Sequence, residues 1–354
     1  FGAYFGVWLN RRLFCHALVH VNSGDKYVYD IFKSKLDQAY SKKNIIKREC
    51  VMFEFKPVTL NLFAEYEQKR KECPVKSADY TFTNLFGWAD KYGLSVAFTD
   101  DFAVIHQKYP YHCLWAPVGN WGKLNAENLS ELIHSVNIPS CHDNPLMASV
   151  SSHENRFCMH RVPDELAERI MDMYSGKVAV IEARGQWEYL YSRQELATLS
   201  GNRFHKKKNH VNGFYKSYAC EYHPLTTEDG VKGSLEDVLE LQNEWCKWHD
   251  CENSNSLYAE NEAIFRVIGS WSAFGSLFGG SFYIDDKMVA FAVGGKLDDK
   301  TCVVHFEKAH SDYRGIYQAI NHAFVNNCTE GFEIINREQD MDEEGIRKAK
   351  LTYN

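Results

Sequence analysis

No run of apolar residues in this 354-residue chain is long enough to cross a bilayer, so a membrane-spanning helix is not expected. A Gly-x-Ser-x-Gly elbow is missing, which argues against a serine hydrolase of the α/β type. Neither a Gly-x-x-x-x-Gly-Lys phosphate loop nor a dinucleotide fingerprint is present. Regular cysteine spacing is lacking as well: the 11 cysteines are scattered, and an odd count cannot all pair internally. Reduced thiols in a cytoplasmic protein are therefore expected. Cys246, His249 and Cys251, and likewise His153, Cys158 and His160, resemble metal spacing, but each set has three ligands and no matching second pair, so no metal is expected. Excess positive charge is absent too. A net charge of −7 argues against a general nucleic-acid or membrane-surface binder, and it leaves one basic run, His205-Lys206-Lys207-Lys208-Asn209-His210.

An apolar content of 45% gives material for two domains, each with its own core. The aromatic-rich opening, Phe1 to Val21, is interrupted by Asn10-Arg11-Arg12 and His16 with no small-residue cleavage site after it, and reads as neither signal peptide nor membrane span. Residues 1–47 are set apart as an N-terminal extension without an assignment. Beyond it, alternation at Val51, Phe53 and Phe55 predicts a strand entering a helix, and Lys76–Lys91 a second helical stretch. Leu94–Phe98 and Phe102–Ile105 flank Asp100-Asp101 as a hairpin, followed by a strand at Tyr111–Ala116 and a helix at Ala126–Val136.

The later half repeats that order. After helices at Gln194–Leu199 and Arg203–Tyr215 come a short strand at Tyr218–Tyr222, a helix Leu235–Trp248 capped by Ser234, and a helix Glu260–Phe274. A meander Leu277–Ile284, Met288–Gly294, Thr301–Phe306 follows, with turns at Asp285-Asp286 and Asp298-Asp299. A duplicated α+β unit accounts for this, with a first unit over 48–185, a linker near Gly185 and a second unit over 186–354.

The stretch Thr301–Phe324 organises the functional reading. A β-branched strand runs through Tyr313-Arg314-Gly315 into a helix whose Ile316, Ala319, Ile320, Ala323 and Phe324 share one face. Glycine permits a tight turn there, and the helix's first amides then point outward with the positive end of its dipole behind them. Such a turn suits the phosphate-bearing end of an activated acyl donor, held by Tyr313, Arg314, Gly315, Ile316, Tyr317 and Gln318, with the reactive carbon along the strand edge that carries His305 and Glu307. An ordinary strand-to-helix connection is the alternative on these residues alone.

The order of strand, helices, three antiparallel strands, a Tyr313-Arg314-Gly315 loop and a helix resembles a GNAT acyltransferase. Tyr189-Leu190-Tyr191-Ser192, Leu196 to Gly201, His205 to Asn212, Gly315 to Asn321 and Ile335-Asn336-Arg337-Glu338-Gln339-Asp340-Met341 are more specifically similar to the soluble family related to the C-terminal domain of phosphatidylglycerol lysyltransferases. The likeness runs from about Val51 to Asn354. It implies an α+β fold of tandem GNAT-like domains, each a mixed, mostly antiparallel sheet flanked by helices. It also implies transfer of an acyl or aminoacyl group from acyl-CoA or aminoacyl-tRNA to an amine or hydroxyl, with no tightly bound cofactor. Two departures stand out. Tyr317 occupies the place where the family's phosphate loop usually has a second glycine, and these residues include no multi-span membrane half.

Further site residues are expected around this turn. His205, Lys206, Lys207, Asn209 and Asn212 offer charge and orientation for the phosphates of a lipid head group or tRNA, against the alternative of a solvated helix face. Asn336, Arg337, Glu338 and Asp340 follow a strand expected beside Thr301–Phe306, where α/β sites form, against the alternative of a loop in which Asp340 caps a helix over Asp342–Lys350. Glu307 or Glu338, its pKa raised by burial, is the expected base for a small-molecule or lipid head-group acceptor. The competing reading is a non-catalytic module that has kept the fold and lost the donor site.

Overall fold

The computed structural model describes residues 16–22, 53–135, 156–175 and 178–353. Their strands form two mixed sheets flanked by helices. The first contains β1 (His16–Asn22), β2 (Lys56–Pro57), β3 (Ser95–Phe98), β4 (Phe102–Gln107), β5 (Cys113–Trp115), β6 (Val118–Gly119), β7 (Arg156–Pro163) and β8 (Val178–Glu182), in the order β2-β3-β4-β5-β7-β1-β8 with β6 on β4. The second contains β9 (Leu190–Ser192), β10 (Glu221–Pro224), β11 (Leu277–Ile284), β12 (Lys287–Lys296), β13 (Thr301–Ala309) and β14 (Ile334–Asn336), in the order β10-β11-β12-β13-β14-β9.

The order of the second sheet recurs within the first. β2 to β5 and β10 to β13 are antiparallel meanders; β7 and β14 then add in parallel, and β1 and β9 follow antiparallel, β8 being a further antiparallel strand on β1. This is the tandem GNAT-like α+β arrangement. The first sheet also draws in His16–Asn22, from the stretch that the sequence leaves unassigned, between β7 and β8.

Turn chemistry explains the meander. Asp285 and Asp286 have φ of 49° and 59°, the left-handed pair of a two-residue turn whose twist matches its strands. Several boundaries move from their sequence expectations for local reasons. Gly269 divides the expected 260–274 helix into Asn255–Ile268 and Trp271–Phe274. The strand expected from Tyr218 begins at Glu221, because Tyr218 closes the His205–Ser217 helix and packs edge-on against Tyr313. Lys76–Lys91 resolves into short pieces, with Ser77 and Thr81 each capping one. Asp340 does not cap the last helix, Glu344–Leu351, which starts later.

Burial ties the two sheets together. Val96, Ile105 and Leu114 of the first sheet share one core with Val238, Leu241, Ile264 and Val267 of the Leu235–Trp248 and Asn255–Ile268 helices, and with Phe291, Val293 and Phe306 of the second sheet. Phe282, Ala292, Val304 and Ile335 on the opposite face of the second sheet pack with Phe214, Ile320 and Phe324 of the His205–Ser217 and Ile316–Cys328 helices. Among the described residues no helix is long and apolar enough to cross a membrane.

Candidate functional site

β13 pairs with all three residues of β14 over Thr301–Val303 and then runs on past its end. Strict alternation would put Val304 and Phe306 on one face, yet Val304 belongs to the second core and Phe306 to the first. The register slips between Val293 and Gly294 of β12, so His305 is the extra residue of a β-bulge. Beyond it Glu307 faces the Ile316–Cys328 helix, where Asn321 Nδ2 donates to its Oε2 at 2.9 Å.

The chain then turns through Tyr313-Arg314-Gly315. Gly315 has φ 86°, and a Cβ there would stand 2.7 Å from the carbonyl oxygen of His210, so glycine is required twice over. The Ile316 amide, expected to be free, donates to Tyr313 O at 3.1 Å, and Ala319 N donates to Gly315 O. The amides of Tyr317 and Gln318 have no partner among the described residues. Tyr317 does not stand in a phosphate's path as its place in the motif suggests: its ring packs on the second core, its hydroxyl donates to Ala309 O at 3.2 Å, and that hydroxyl accepts from Trp245 Nε1 at 3.1 Å.

The basic run divides between two places. Lys206, Asn209 and His210 line a surface pocket of about 390 Å³ together with Arg314, so the helix and the turn that the sequence singled out separately meet. Neither Lys206 nor Arg314 has a carboxylate partner among the described residues. Lys207 turns away, its ammonium 3.9 Å from the centre of the Tyr353 ring, and burial followed by the nearby Arg337 lowers it to about 8. His205 bonds Asn209 within the helix, and Asn212 is exposed outside the pocket lining.

The residues after β14 are held rather than free. Arg337 donates to Glu307 Oε1 at 3.1 Å. Glu338, at φ 54°, takes a hydrogen bond from Asn84 Nδ2 at 2.8 Å across the two halves and lies 3.0 Å from His305 Nδ1. Asp340 is a fully buried anchor bonded by Arg184, Arg347 and Tyr189; burial pushes its carboxyl up, but Arg347, Tyr189 and the Asp342 amide overcome this and hold it at about 2. Both Asp340 oxygens are thus engaged within the protein.

The carboxyl that burial does raise is Glu188, pushed up to about 8, with nearby Asp79 adding to the effect against hydrogen bonds from Ser77, Asn336 and the Ala78 amide. Ser77 Oγ and Ala78 N each donate to its Oε1 at 2.7 Å, and Asn336 Nδ2 to its Oε2 at 2.8 Å, so this group joins the halves. The sequence reading passed over Glu188 and Asn84. Glu188 directly precedes the Tyr189-Leu190-Tyr191-Ser192 motif, which was a usable signal; nothing marked Asn84.

The metal readings end here. Cys246 and Cys251 are joined as a disulfide with Cα atoms 5.1 Å apart, which also corrects the expectation of reduced thiols at that pair. His153 lies outside the described residues, and among those no group of three ligands converges.

Residues 70–354 match the family described as phosphatidylglycerol lysyltransferase, C-terminal. The chain belongs to that family. A conserved protein of unknown function from Bacteroides thetaiotaomicron, known from a crystal structure, is 32% identical with a TM-score of 0.73, covering 86% of this chain and 96% of its own. A domain from Agrobacterium fabrum, named as the C-terminal domain of a lysylphosphatidylglycerol synthetase, is 11% identical with a TM-score of 0.54 over 82% of this chain and 88% of its own, a likeness of fold. An uncharacterised protein of Mycoplasmoides gallisepticum is 30% identical over 169 residues, 47% of this chain and 51% of that protein. The chain thus spans about half the length of that relative.

Proposed function

We propose that the protein transfers an acyl or aminoacyl group from an activated donor, acyl-CoA or aminoacyl-tRNA, to an amine or hydroxyl acceptor such as a lipid head group. The observation that carries this is the pocket in which Lys206, Asn209 and His210 converge with Arg314, the residue before Gly315 in the turn that starts the helix with the free amides of Tyr317 and Gln318. Two unpaired cations and two outward amides form a receptor for phosphate. β13 runs on past the end of β14 before that turn, and a donor held by its phosphates there would lay its carbonyl along the continuing strand. Catalysis would then rest on positioning and on polarisation of that carbonyl. Family membership and the inward-turned Tyr317, which leaves the helix start uncovered, support the reading.

Thermal-shift titration with acyl-CoA species and with charged tRNA tests it. A donor at 100 times its dissociation constant should add roughly 2.7 kcal/mol of stability. Arg314→Ala should lower the affinity by roughly 1.5–3 kcal/mol, the range for hydrogen bonds to charged groups. No stabilisation by either donor would favour a non-catalytic module instead.

A further inference from the structure

The split between β13 and β14 contains a histidine–carboxylate pair that the donor pocket does not use. The bulge sends His305 to the same face as Phe306, where its side chain is only 2% exposed. An ionised carboxylate can only accept, so the 3.0 Å contact with Glu338 Oε1 puts the proton on Nδ1 and leaves the lone pair on Nε2. Among the described residues Nε2 has no hydrogen-bond partner. Gly295 on β12 lets the strand approach this nitrogen closely, since a Cβ there would lie 3.2 Å from Nε2. Glu338 is itself fixed from both sides: Asn84 of the first half donates to the oxygen that faces His305, and Asn336 Oδ1 accepts the Glu338 amide at 2.8 Å.

We propose that His305 is the general base of the transfer, and that Glu338 and Asn84 are its positioning residues, so the first half completes the second half's site. This deepens the acyl-transfer reading and rests on it. The acceptor's amine or hydroxyl attacks the donor's acyl carbon, forming the new bond, and its proton passes to Nε2. The tetrahedral centre then collapses, breaking the bond to the thiol or ribose hydroxyl, and that leaving group departs with the same proton. The imidazolium formed in between faces the Glu338 carboxylate. Of the other nearby charges, Lys350 bonds the Arg337 and Gln339 carbonyls and interacts with Glu338, while Glu307 is directed to Asn321 and Arg337.

Single-turnover transfer from acetyl-CoA and from lysyl-tRNA to glycinamide, measured against pH, tests this. With whichever donor the parent uses, His305→Gln and His305→Ala should slow transfer by about 10²–10⁴-fold while donor affinity holds. The parent's rate should rise with pH as the imidazole loses its proton and then level, and that limb should vanish in both variants. Asn84→Ala and Gly295→Ala keep the imidazole; each should slow transfer by a smaller factor, Asn84→Ala also displacing the limb, with the melting temperature monitored. A parent that transfers beside a His305→Gln variant of equal rate and unchanged limb overturns the base alone. Full rates in both Asn84→Ala and Gly295→Ala overturn the geometry claimed for it. A parent that neither binds nor transfers from either donor removes the acyl-transfer reading, and the base with it.

Discussion

β5 and β13 hold the same place in two sheets of the same order, yet their surroundings differ. β5 has three residues, and after pairing with β7 at Leu114 and Trp115 the chain passes Pro117 into β6, which continues along β4 in the same direction. The ground beside it is filled: Trp115 covers the Arg161 guanidinium at 4.3 Å, and Arg161 donates to Asp79 at 3.1 Å and Gln186 at 2.8 Å. β13 has nine residues, carries a bulge and runs through a left-handed glycine into a long helix. Shared topology thus comes with different surroundings: beside β13 past β14 stand Arg337 on Glu307 and Glu338 on His305.

The largest effect expected from this contrast is at Gly315. Valine there meets both the φ of 86° and the His210 carbonyl at 2.7 Å, so Gly315→Val should abolish donor binding. Calorimetry with the donor, alongside urea unfolding to show a folded chain, checks it. Retained binding would mean that the turn is not the receptor.

The counterpart in the first half should behave in the opposite way. Arg161→Met removes the buried cation from Asp79 and from the Trp115 face, which should cost about 3–5 kcal/mol of stability. Donor affinity of the molecules that remain folded should not change. Loss of donor affinity without loss of stability would erase the proposed division between a structural and a ligand-binding half.

Sequence order made much of this legible. The duplicated order, the Asp-Asp hairpins and the strand–turn–helix at 301–324 followed from alternation, turn residues and helical spacing, and a strand before Asn336 was expected beside β13, though not its parallel direction. What stayed hidden depended on three-dimensional approach. A bulge leaves no mark in an apolar strand, so the reversal between Val304 and Phe306 was not predictable from periodicity. Asn84 meets Glu338 across 254 residues, and Lys207 differs from Lys206 only through which face of one helix meets Tyr353. Charge composition cannot separate such neighbours.

A further effect concerns the joint between the halves. Glu188 titrates near 8 when folded and near 4.5 as an ordinary carboxyl, so between those values the folded chain keeps a proton that the unfolded chain releases. Its stability contribution is complete below about 4.5 and is lost as pH rises through about 8. Glu188→Gln cannot ionise, so the difference in unfolding free energy between variant and parent should shift in the variant's favour across that window, on the order of 5 kcal/mol. Any fixed offset from presenting an amide to Asn336 leaves that slope untouched. A pH-independent difference would show that Glu188 does not titrate there.

The smallest effect separates two adjacent lysines. Lys206 lines the pocket with Arg314, whereas Lys207 lies over Tyr353 and interacts with Arg337 and Glu307. If tRNA is the donor, Lys206→Ala should weaken binding and flatten the salt dependence by about 0.7–0.9 for the one phosphate contact removed. Lys207→Ala should leave that slope unchanged, and any effect on stability should come from the exposed Tyr353 ring and from relief of the like charge at Arg337. Fluorescence titrations of both variants with tRNA at several salt concentrations measure the two slopes. Equal slopes would assign the whole basic run to solvent, and the pocket would then owe its anion preference to Arg314 and the two free amides alone.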